Sequence, residues 1–174
     1  MTWQNECPAG TSRVGPLRVL RFPVARTRSL QRFREISEIV FSGGASPAEQ
    51  KQWFRQNGPE VPELIEYLRA HSSGYDRILF WSFRYYQTFF GLPLAPDRAV
   101  LVPTAEDDPL IRLNILSRFF SLPAGFLFLT PEEESLVARC CPQPLAPSSV
   151  VGSGLEPAGP RPDVPLEPLG IRNP

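Results

Sequence analysis

The sequence predicts an α/β fold: a partial Rossmann-like parallel sheet with helices on both faces. Three observations carry this reading. From Asp76 to Gly152, short apolar runs alternate with segments of helical spacing, the pattern of βαβ units. The runs are apolar throughout rather than at every second residue, which suits strands of a covered parallel sheet. Helix-start signals follow the runs closely, so the joints between strand and helix are short.

Each element follows from local chemistry. Leu17–Val24 (LRVLRFPV) alternates apolar and basic residues until Pro23 and reads as a strand near a sheet edge, because proline has no N–H for a ladder. Ser29–Phe41 sets Leu30, Phe33, Ile36, Ile39 and Val40 at helical spacing. Ser46-Pro47-Ala48-Glu49 is a capping box with proline at the first helical position. The helix it opens reaches Gln56 and stops at Gly58-Pro59. Pro62–His71 is a further helix with Leu64, Ile65 and Leu68 on one face. Asp76–Phe83 (DRILFWSF) reads as a strand, Tyr85–Phe90 as a helix stopped by Gly91-Leu92-Pro93, and Ala99–Pro103 as a buried strand. Pro109–Phe120 is expected as one helix, with Leu110, Ile111, Leu113, Ile115 and Leu116 inward. Gly125–Leu129 is again a strand. Thr130-Pro131-Glu132-Glu133 is a second capping box opening a helix to Arg139, and Ser149–Gly152 is a last short strand. Beyond Leu155 the chain has no apolar periodicity and six prolines, so residues 156–174 are expected as a disordered, extended Pro-rich tail after a domain spanning 1–155.

Composition narrows the function. The 174 residues fit one domain, and 42% hydrophobic content can build its core. A formal net charge of +0 argues against a general nucleic-acid binder. One histidine, His71, rules out His-rich metal sites and catalysis by two histidines, and its place at a helix end reads as structural. Cys7, Cys140 and Cys141 form no CxxC pair and read as reduced thiols of a cytoplasmic protein. No signal peptide is expected. The longest apolar run, Leu122–Leu129, falls far short of the ~20 residues of a membrane span. Charge is uneven: residues 1–34 hold seven Arg against Glu6, whereas residues 35–110 are net acidic. That pattern fits either an anionic partner near the N-terminus or two solvated faces of one fold.

Ligands of open parallel sheets bind beyond the carboxyl ends of the strands. This rule selects the loops at Ser82-Phe83-Arg84-Tyr85, at Thr104-Ala105-Glu106-Asp107-Asp108, at Thr130 and at Gly152-Ser153-Gly154. Glu106, Asp107 and Asp108 suit sugar hydroxyls, a general base or Mg²⁺; equally, Asp107 or Asp108 caps the helix that starts at Pro109. No second carboxylate group is spaced to complete a metal site. Arg84 suits a phosphate or carboxylate, or a pairing with Glu106 or Asp107. Seven aromatics within residues 80–90 fit either ring stacking or core packing, the latter for Phe80, Phe83 and Phe89. Gly152-Ser153-Gly154 is not a dinucleotide fingerprint, and Lys51 lacks the glycines of a phosphate loop.

The order of several short motifs resembles the N-terminal domain of bacterial family-four glycosyltransferases. Trp3-Gln4-Asn5-Glu6-Cys7-Pro8-Ala9-Gly10 resembles a family stretch W-x-N-E-x-P-x-G, and Arg21-Phe22-Pro23-Val24 follows as it does there. Gln56-Asn57-Gly58-Pro59, Tyr75-Asp76, Thr88-Phe89-Phe90-Gly91-Leu92-Pro93, Asp97-Arg98, Val102-Pro103-Thr104-Ala105, Thr130-Pro131-Glu132-Glu133 and Val151-Gly152-Ser153-Gly154 match later landmarks. The resemblance implies a retaining, metal-independent transfer of a hexose from a nucleotide-sugar to an acceptor, in a two-lobed B-type fold, with no cofactor. This domain would hold the acceptor, and Ser82, Arg84, Tyr85, Thr88, Thr104, Glu106, Asp107 and Asp108 would line its substrate site. Glu106 stands where the family carries a histidine that contacts the reacting sugar. The chain has no counterpart of the family's first strand–helix unit or of its donor lobe, so the resemblance implies a fragment, inactive alone. The alternative is a non-enzymatic module whose open sheet edges pair with a partner supplying the missing lobe.

Overall fold

The computed structural model describes residues 2–154, and the expected tail lies outside them. A two-stranded antiparallel hairpin, β1 (Gly10–Val14) and β2 (Leu17–Arg21), comes first. Three helices follow: α1 (Leu30–Phe41), α2 (Pro47–Asn57) and α3 (Pro62–His71). Then come β3 (Ile78–Trp81), α4 (Tyr86–Gly91), β4 (Ala99–Val102), α5 (Asn114–Phe119), β5 (Gly125–Phe128), α6 (Pro131–Cys140) and β6 (Ser148–Val150). The last four strands form one parallel sheet in the order β3-β4-β5-β6, flanked by helices. The class is α/β, as the apolar runs predicted.

Caps place the helix starts. The Ser29 Oγ accepts from the Arg32 N–H to open α1. At α2 the box is reciprocal: Ser46 Oγ accepts from Glu49 N–H, and the Ser46 N–H donates to Glu49 Oε2 at 2.7 Å. Gly58, at φ +71°, closes the helix in a backbone region that costs other residues more.

Three expectations change. The strand expected over Leu17–Val24 ends at Arg21 and belongs to a separate two-stranded hairpin. Its partner β1 was not foreseen; the signal was the two-residue turn Gly15-Pro16, with Gly15 at φ +55°. The helix expected over Pro109–Phe120 is broken: a 3₁₀ turn covers Pro109–Arg112, Leu113 is extended at ψ 133°, and α5 starts after it. Buried Gln50 stabilises the break, its Oε1 accepting from Ile115 N–H at 3.3 Å while its Nε2 donates to the Ala45 carbonyl.

Burial distinguishes the two sheet faces. Ile78, Phe80, Ala99, Leu101, Phe126 and Phe128 point into the core, where Phe54 of α2 stacks on Phe89 of α4 at 3.9 Å between ring centres. On the opposite side Val102 is buried, but Leu79 and Trp81 of the edge strand β3 are 56% and 58% exposed. Among the described residues, no helix is long and apolar enough to cross a membrane.

Candidate functional site

The corner beyond the carboxyl ends of β3 and β4 collects most of the residues expected there. β3 ends at Trp81, and the next two amides tie its loop to β4: Ser82 N–H donates to the Val102 carbonyl and Phe83 N–H to the Pro103 carbonyl. Ser82 has φ +60° and Thr104 φ +50°. With Trp3, at φ +59°, they are the only non-glycine residues of positive φ among those described. Such backbone costs about 1–3 kcal/mol per residue and persists where the surroundings impose it.

Arg84 is the centre of the charge arrangement. Its Nη1 lies 2.7 Å from Asp108 Oδ2 and its Nη2 3.4 Å from Glu106 Oε2. The guanidinium carbon also sits 5.4 Å from the centre of the Phe83 ring. Asp107 turns away and pairs with Arg112 instead of Arg84. Asp108 does two jobs, since its Oδ1 also accepts from the Leu110 and Ile111 N–H groups and caps the 3₁₀ turn. Of the three consecutive acids, Glu106 and Asp108 therefore share Arg84, and Asp107 alone points elsewhere. Among the described residues, no three His, Cys, Asp or Glu side chains are gathered closely enough to hold a metal ion.

The C-terminus of α2 braces this corner. Asn57 Nδ2 donates to the Arg84 carbonyl at 2.8 Å, and Trp3 Nε1 donates to the Asn57 carbonyl at 2.6 Å. The Trp3 ring stands edge-on to Tyr85, 5.8 Å between centres. Asn5 clasps the backbone of Val24 through both its amide atoms, fixing the N-terminal segment. Nearby, burial lowers the affinity of the Arg28 guanidinium for its proton, opposed by Tyr85, while the ring of Phe33 lies 3.7 Å from its central carbon. Burial, reinforced by Glu60, raises the Tyr86 phenol above its ordinary value.

Not every expected residue reaches the corner's surface. Thr88 is 1% exposed, and its hydroxyl donates to the Trp81 carbonyl inside the core. Ser82 is 4% exposed, Thr104 and Tyr85 are half-buried, and Glu106 is open to solvent. Among the described residues, the hydroxyl of half-buried Thr104 makes no hydrogen bond.

Glu133 is the residue that sequence reading placed wrongly. Thr130 Oγ1 accepts from the Glu133 N–H, as a cap should. The Glu133 carboxylate, however, does not return to Thr130. It accepts from Leu129 N–H at 2.8 Å and from Ala105 N–H at 2.7 Å. At 6% exposure it links the head of α6 to the loop after β4. Asn57 and Trp3 were visible only as members of motifs; their bracing roles depend on contacts far apart in sequence.

Comparison of the chain with protein-family models, with curated proteins and with solved structures returns no match.

Proposed function

We propose that the corner beyond β3 and β4 is the acceptor half-site of a glycosyltransferase-like protein, built to hold a polyhydroxylated ligand and silent in catalysis without a donor-binding lobe. The observation that supports this is that, of the three left-handed non-glycine residues among those described, Ser82 and Thr104 lie at the carboxyl ends of adjacent parallel strands and Trp3 packs against the same corner through Tyr85 and Asn57. Thr104 offers a hydroxyl, Tyr85 and Trp3 offer ring faces, and Arg84 offers a guanidinium oriented by two acids. A hydroxyl beside aromatic rings and a fixed charge suits a sugar. Transfer also needs the donor held against the acceptor in one closed site, which a single half-site does not supply.

The test is a titration of the labelled chain with simple sugars and with nucleotide-sugars, followed by amide chemical shifts. Sugars are expected to move the amides of residues 82–85 and 104–108, and Arg84→Ala to abolish the response. No shift with any sugar would refute the half-site, and hexose transfer by the chain alone would refute its silence.

A second reading has its own observation. Edge strand β3 carries neither charge nor proline, and Leu79 and Trp81 are exposed on it. Unprotected edges of that kind pair with other chains. Under this reading the module docks through β3 onto a partner that extends the sheet.

A further inference from the structure

We propose that the β1–β2 hairpin is a docking element for an anionic lipid surface. This inference rests on the hairpin alone and is independent of any role at the strand-end corner.

The tip of the hairpin is apolar and uncovered. Val14 and Leu17 face each other across the Gly15-Pro16 turn and are 58% and 65% exposed. The next rung sets Arg13 opposite Arg18, both exposed. Like charges directly opposite each other destabilise a hairpin unless an anion lies between or beside them. Arg21, three residues further along β2, projects from the opposite face, its Nη1 donating to Ser12 Oγ. Neither Arg13 nor Arg18 joins an ion pair among the described residues. The hairpin meets the body chiefly at its base, where Phe22 lies against Tyr67 at 5.3 Å. Between hairpin and α3 is an open cavity of about 320 Å³, lined by Thr11, Arg18, Leu20, Arg21, Glu63 and Tyr67.

The pairing of a wet apolar tip with unpaired arginines one rung behind it selects the partner. A lipid interface offers apolar chains to Val14 and Leu17 and phosphates to the arginines just above, which their long stems can reach. A nucleic acid offers the phosphates but no apolar phase for the tip. The attraction is local: the chain is neutral overall, but residues 1–34 carry seven arginines and one acid. Attachment would be peripheral.

The test is co-sedimentation of the full chain with vesicles of phosphatidylcholine alone and of phosphatidylcholine mixed with phosphatidylglycerol. Partitioning is expected onto the mixed vesicles only. The double variants Val14→Ser/Leu17→Ser and Arg13→Gln/Arg18→Gln are each expected to weaken it about tenfold. Leu17→Trp supplies a second readout, independent of how the other variants pack: brominated lipid should quench the added fluorescence. Absence of partitioning, or equal partitioning onto pure phosphatidylcholine, overturns the proposal. So does binding that survives loss of Val14 and Leu17 and is matched by an oligonucleotide, which would mark a general polyanion patch.

Discussion

Two backbone amides from different loops converge on one carboxylate at Glu133. Glu133→Ala would leave the Ala105 and Leu129 N–H groups buried without acceptors. A loss of about 2–4 kcal/mol is expected in urea unfolding, with Glu133→Gln costing roughly half of that because one acceptor survives. The thiols supply a pH-dependent counterpart. Burial, with the neighbouring Cys140 adding to it, pushes Cys141 up to about 11. The unfolded thiol ionises first as pH rises, so the folded form loses stability from the ordinary thiol range up to about 11 and is unaffected below it. Cys141→Ala should flatten that decline relative to the parent chain, as read by unfolding midpoints across the range. In the native protein at neutral pH, exposed Cys7 should react with a thiol reagent before Cys140 or Cys141. At this scale the sequence was partly transparent. Asp108 before Pro109 reads as a cap and is one, and Arg84 was open to pairing with Glu106 and does pair. The Glu133 contact was hidden because a capping box is a local pattern, while Ala105 lies 28 residues away.

Among the elements, cap chemistry translated directly into helix starts at Ser46 and Thr130, since the interaction that defines each start spans three residues, while the helix after Ser29 was legible from apolar spacing. The break at Leu113 was illegible for the opposite reason. Leu110, Ile111, Leu113, Ile115 and Leu116 keep helical spacing across it, and the group that stabilises the second start is a glutamine on α2, 65 residues distant. Gln50→Leu keeps the volume but withdraws the acceptor from Ile115 N–H. It is expected to cost about 1–2 kcal/mol and to speed hydrogen exchange at the Ile115 amide. The same change leaves the α2 capping box intact, so exchange at Glu49 should not move. Strand β1 escaped notice because GTSRV lacks an apolar run; the hairpin is encoded in its turn more than in its strands.

For the molecule as a whole, uninterrupted apolar strands announced a parallel sheet but could not announce how each face is covered. ILFW reads alike whether Leu79 and Trp81 meet a helix or water; in the fold they meet water. An uncovered apolar edge favours association. The double variant Leu79→Lys/Trp81→Lys is expected to lower the apparent mass in light scattering at high concentration while leaving the thermal midpoint within about a degree, since surface changes outside the core usually stay within about 0.5 kcal/mol. A parent chain that stays monomeric at every concentration would remove the support for docking through β3. The site followed the same division. Its position was legible from strand ends, and its charged members from residue type, but the support from Asn57 and Trp3 became visible only with the fold complete.

In the main sheet, order in space repeats order along the chain, from β3 to β6. A polypeptide emerging from the ribosome would therefore meet its sheet already begun each time a new strand appears, with no earlier gap to be filled from behind. Loop closures stay short at every step, because a strand needs only its immediate predecessor. Assembly can proceed like laying planks, each against the last, leaving the outer margin of the first plank bare from beginning to end.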